Sequence, residues 1–109
     1  MYQGTTPALT LTVEGANLTD KTVFVTIRCG NYSITKTGED VAVSYGDGNS
    51  TVVIRLTQEE TLLMKELIAT VQIRFVDESG NAEVTNKATF EVQESLYSAV
   101  IEYEGGDGE

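Results

Sequence analysis

Histidine and tryptophan are both absent from this 109-residue chain, and proline and cysteine occur once each, at Pro7 and Cys29. Without histidine the chain lacks the commonest general base and the commonest transition-metal ligand. A single cysteine forms no intramolecular disulfide, so the fold does not depend on an oxidising compartment. No apolar run approaches the ~18 residues that a membrane span needs. The opening Met1–Pro7 has neither a basic nor an apolar stretch, so no secretory signal is expected there. Basic residues are also scarce, with 7 against 17 acids and a net charge of −10. Such a surface repels phosphate backbones and anionic lipid, so neither nucleic acid nor membrane is an expected partner. Four of the acids, Glu102, Glu104, Asp107 and Glu109, crowd the C-terminus, and without them the charge is about −6, ordinary for a small soluble domain.

What remains is globular in composition, 40 % apolar and 22 % charged, with three phenylalanines. The core must therefore come mainly from Val, Leu and Ile. These residues, with Thr, fall in short runs that alternate with a period of two, the mark of strands with one face buried. Residues 8–13 put Leu9, Leu11 and Val13 on one face, and residues 22–29 put Val23, Val25, Ile27 and Cys29 together. Residues 32–37 and 41–45 continue through Tyr32, Ile34, Val41, Val43 and Tyr45. Residues 51–56 align Val52, Ile54 and Leu56, and residues 69–76 align Ala69, Val71, Ile73 and Phe75. A seventh strand is expected over 84–93, with Ala88, Phe90 and Val92 inward. Branched Cβ atoms suit extended backbone, which is why Thr, Val and Ile dominate these runs.

Turn chemistry separates the strands. Gly30-Asn31 predicts a tight hairpin, Gly46-Asp47-Gly48-Asn49 a turn with positive φ, and Asp77–Asn81 a further hairpin loop, while Gly38-Glu39-Asp40 parts the third and fourth strands. One segment departs from the rhythm. Thr57 and Glu60 have capping-box spacing, and Leu62, Leu63 and Leu67 follow at helical intervals, so a short helix is expected near residues 58–66. Seven short, evenly spaced strands predict an all-β, immunoglobulin-like antiparallel sandwich over residues 1–95, with a small barrel as the alternative. Residues 96–109 form a separate C-terminal segment, apolar and then acidic.

Candidate chemistry is thin. The pairs Glu39-Asp40, Glu59-Glu60 and Asp77-Glu78 are adjacent in turns or at a helix start, not opposed across a cleft as glycoside hydrolysis requires. The Asp47-Gly48-Asn49 and Asp77–Asn81 turns lack the ligand ladder of a calcium loop, and Cys29 has no base to activate it and no zinc-type partners. No catalytic, cofactor or metal residue is assigned, and no enzyme activity is expected. Three Asn-x-Ser/Thr triplets, at Asn17, Asn31 and Asn49, read as coincidence in a threonine-rich chain without a secretory signal. The tyrosines, Tyr2, Tyr32, Tyr45, Tyr97 and Tyr103, are the main ligand-capable groups. The set Leu96, Tyr97, Val100, Ile101 and Tyr103 is the candidate interface, because it lies beyond the strands that close the core.

The opening Met1–Pro7, the stretch Leu56-Thr57-Gln58-Glu59-Glu60-Thr61 and the run from Val71 to Asn81 and on through Thr85–Val92 together resemble small tail-module proteins of phages and prophages of Gram-positive bacteria. They are similar, more loosely, to the N-terminal β-sandwich domain of phage baseplate upper proteins. The resemblance spans nearly the whole chain and implies a non-enzymatic module. Its implied partners are other tail or baseplate proteins or further copies of itself, and its implied location is the virion, or the bacterial cytoplasm before assembly. Two other roles fit the residues: a carbohydrate-binding module stacking tyrosines on a cell-surface glycan, and an acidic mimic of nucleic acid.

Overall fold

The computed structural model describes residues 1–85 and 87–103. Strands β1 (Ala8–Glu14), β2 (Thr22–Cys29), β3 (Tyr32–Thr37), β4 (Val41–Gly46), β5 (Asn49–Arg55), β6 (Ile68–Val76), β7 (Ala82–Val84) and β8 (Ala88–Glu91) form two antiparallel sheets. One is ordered β1-β5-β4, and the other is β3-β2-β6 with β7 and β8 both on β6. In chain order these are strands B, E and D facing C′, C, F and G, so the domain is an immunoglobulin-like β-sandwich. Position A, which flanks B in such sheets, holds no strand among the described residues, so β1 is an edge.

Alternation explains the packing. β2 reads exposed-buried along all eight residues because it lies between β3 and β6 with one face on the core. Val25, Ile27, Val52, Ile54 and Leu56 are at most 1 % exposed, and each such side chain contributes about 1.5–3 kcal/mol by leaving water. Cys29 is part of this core. Leu18, in the β1–β2 connection, is fully buried; its N–H donates to Ser50 Oγ at 2.9 Å while that hydroxyl donates to Ala16 O at 2.7 Å.

The hairpins follow their residues. Gly30 takes φ 63° at the first position of the two-residue β2–β3 turn, a II′ geometry, and a Cβ there would meet Glu66 Cγ at 2.6 Å. Asp47 (φ 54°) and Gly48 (φ 81°) make the I′ turn between β4 and β5. The Asp77 carboxylate accepts from the Ser79 and Asn81 amides, both at 2.9 Å, so this loop acid is used as a turn brace. The Asn81 amide bond is the main influence holding that carboxyl below its usual range.

Two expectations need correction. The helix α1 covers only Gln58–Leu62, not residues 58–66. Its capping box forms as expected, but Leu63 caps its C-terminus and the chain turns so that Met64 enters the core while Leu67 is 78 % exposed. The expected strand over 84–93 is two strands. Val84 faces Arg74 and Ala88 faces Val71, so the register on β6 shifts by one residue between β7 and β8. A shift of one is what a β-bulge produces, and it changes which side chains of β7 face the core. Ala88 and Phe90 lie opposite the core residues Val71 and Ala69, on the expected inner face, though Ala88 is exposed and Phe90 half-buried; Val92 is buried, and in β7 it is Glu83, opposite the core residue Phe75, that lies on the inner face. Asn86 within this stretch, and Glu104–Glu109 of the acidic tail, lie outside the described residues.

Candidate interaction surface

The C-terminal segment is placed by main-chain bonding to the opposite end of the chain. After β8 the backbone runs parallel to the first residues: the Met1 ammonium donates to Glu91 O, Gln93 N–H to Met1 O and Gln3 N–H to Gln93 O. Ser95 Oγ then donates to Gln3 O at 2.6 Å. The N-terminal arm is itself tied to α1, since the Gly4 N–H donates to the buried Thr61 hydroxyl, which donates to Thr5 O, and Gln3 Nε2 donates to Met64 O. Beyond Ser95, Gln58 holds the segment with two bonds, donating to Ile101 O at 2.8 Å and accepting from Ile101 N–H at 2.7 Å.

These bonds fix the backbone and leave the side chains outside. Leu96 is wholly exposed, Tyr103 is 88 % exposed, and Tyr97, Ile101 and Val100 are at least 45 % exposed. The structure thus keeps the five expected interface residues on one stretch. It places Leu96 with Leu63 and Leu67 along a cleft of about 670 Å³, while Val100 lies over Leu56 and Thr57. Leu63 and Leu67 fall at helical spacing in the sequence, and their part in this apolar surface follows from where the helix stops. Among the exposed tyrosines, Tyr2 joins this end through its bridge to Gln93, whereas Tyr45 sits beside the β4–β5 turn at the opposite end.

One polar cluster is partly buried. Lys36 Nζ on β3 donates to both oxygens of Glu60 on α1, at 2.9 and 2.7 Å. Glu60 also accepts from the Thr57 N–H, closing the capping box. Burial works to raise the Glu60 carboxyl, but the bonds from Lys36 and Thr57 outweigh it and hold the group below its ordinary range. Tyr32 is raised, by burial first and then by the Glu60 charge. Lys36, Glu60 and Thr57 are bonded to one another, and no buried side-chain polar atom lacks a partner among the described residues, so this cluster docks α1 on β3. No group of three or more acidic or cysteine side chains suited to a metal occurs among the described residues, and no helix there is long and apolar enough to cross a membrane.

No family model matches this sequence, and no curated protein matches it. Among solved structures, murine CRIg is similar at 12 % identity and a TM-score of 0.34, over 87 % of this chain and 89 % of that one.

Proposed function

We propose that this chain is a non-enzymatic assembly module of a phage or prophage tail or baseplate, working through protein–protein contact at its C-terminal segment. The supporting observation is energetic. Leu96, Tyr97, Ile101 and Tyr103 lie in water on a segment whose backbone is bonded to the domain at Ile101. An apolar row on an ordered segment carries a solvation cost that a partner surface recovers at about 25 cal/mol per Å² covered. Leu63 and Leu67 extend the row onto the body of the domain. The resemblance to tail-module proteins supplies the setting, and the tyrosines supply the residue type that interfaces favour.

Sedimentation of the intact chain tests this reading. A concentration-dependent mass, alone or with a neighbouring tail protein, is expected, and truncation after Ser95 should abolish it. A truncated chain that associates as the intact one does would sink the proposal.

A further inference from the structure

One side of the sandwich, along β1, is open. On the open side the two sheets part around a cleft of about 710 Å³, between β1 and the β7–β8 strand. Leu11 and Val13 of β1 line it from one sheet, and Ile73 and Phe75 from the other. Leu11 and Val13 are only half-buried, although they sit on the inner face of their strand.

The rim of this cleft is an unpaired strand edge. Leu56 N–H donates to Pro7 O and Gly15 N–H donates to Gly48 O, which fixes the phase of the β1–β5 ladder. Residues 9, 11 and 13 therefore bond β5, and the N–H and C=O groups of Ala8, Thr10, Thr12 and Glu14 point away from it. Among the described residues no other group bonds them. Met1–Gln3 runs along the other sheet only as far as Glu91, so it does not cover this stretch.

Charge narrows the occupant. The ionisable side chains lining the cleft are Glu14 and Glu83, both acidic, on a chain of net charge −10. Glu83 is on the inner face because the bulge before β8 sets its register opposite Phe75. An inward acid at an open edge rejects a purely apolar strand or an acidic one. It accepts a strand that brings a cation to meet it.

We infer that the β1 edge and the cleft behind it receive an extended segment of another protein by strand addition. That segment is apolar at alternate positions and carries a Lys or Arg where it passes Glu83 and Glu14. Its backbone would complete the ladder at Thr10, Thr12 and Glu14, and its apolar side chains would cover Leu11, Val13 and Phe75. The chain's own 96–103 segment is a poor match, since Glu102 would face the same acids. The inference deepens the assembly reading by naming partner chemistry for a second face, away from the C-terminal segment.

The probe is a fluorescein-labelled octapeptide alternating valine and threonine, with lysine at both ends, read by anisotropy against the full chain. Two further peptides serve for comparison: the same octapeptide ended in glutamate, and residues 96–103. Saturable binding of the lysine peptide is expected, weakening as salt rises, with the glutamate version about tenfold weaker or worse. Thr12→Pro removes an outward N–H that the fold does not use, so it should abolish binding. Glu83→Gln, an exposed position, should erase the preference for lysine over glutamate ends whether or not Thr12→Pro folds. No binding of the lysine peptide, equal binding by Thr12→Pro of unchanged melting temperature, or a stronger response to the 96–103 peptide would each overturn the inference. Truncation after Ser95 leaves this titration unchanged, so failure here and failure of the C-terminal interface are separate results.

Discussion

The middle of this sandwich and its β1 edge are built from the same kinds of residue and end in different states. In the middle, Val25 and Ile27 of β2 and Val52 and Ile54 of β5 are at most 1 % exposed. On the open side, Leu9, Leu11 and Val13 of β1 have the same alternation and are only half-buried. The difference is not in the side chains. β2 and β5 each have neighbours on both edges, whereas β1 has one neighbour and faces β7 and β8, where the register on β6 shifts by one residue. Apolar pattern decides which face of a strand turns inward; the neighbours decide how completely that face is covered.

Paired truncations should break this comparison if it is false. Ile27→Ala removes a side chain from a site that cannot collapse, so a loss of about 3 kcal/mol is expected by denaturant unfolding. Leu11→Ala empties a site already open to water and should cost about 1 kcal/mol. Equal losses would mean that the β1 edge is packed as tightly as the middle of the sandwich.

The Lys36–Glu60 pair sharpens the comparison, because it is where the five-stranded sheet secures α1. Lys36→Ala strands a partly buried carboxylate and should cost about 1–3 kcal/mol at neutral pH. Glu60 is held below its ordinary range when folded, so its contribution is complete above the unfolded carboxylate pKa and disappears as pH falls through the folded value. Glu60→Gln should therefore be less stable than the parent at neutral pH and show a shallower loss into acid. An acid limb as steep as the parent's would rule out this pair as a source of the pH dependence.

Ser50→Ala tests the polar stitch beneath the open end. The change leaves the Leu18 N–H and Ala16 C=O without their hydroxyl partner beside a fully buried leucine, for an expected loss of about 1–2 kcal/mol in thermal unfolding. A neutral result would mean that water replaces the hydroxyl there.

How far the sequence reveals this structure depends on whether a feature is local. β2 and β3 fall where their alternation and the Gly30-Asn31 turn place them, and the capping box at Thr57 and Glu60 forms as its spacing predicts. The end of α1 is not local. Leu63 and Leu67 continue the helical spacing, yet Met64 is the residue the core takes, and its departure from the helix is a tertiary choice. The bulge between β7 and β8 is hidden for the same reason: it is a relation between two strands, and nothing in the sequence of 84–93 alone shows that the register on β6 shifts by one residue. Its consequence, Glu83 on an inner face, goes against the polar-outward expectation for an acid in a strand. The five residues of the candidate interface were legible as an apolar stretch beyond the core, whereas their fixed backbone needed Gln58, whose role no pattern announces.

The smallest expected effect belongs to the C-terminal segment. Leu96→Ser and Tyr103→Ser change side chains that lie in water, so stability should stay within about 0.5 kcal/mol of the parent by denaturant unfolding. Exposed apolar groups contribute nothing to folding that a serine does not, because their surface is hydrated before and after. The same pair should weaken self- or partner association in sedimentation, since only there is that surface covered. A marked drop in stability would show these residues packed against the domain, with the row serving the fold. Unchanged stability with unchanged association would place the contact surface elsewhere on the molecule.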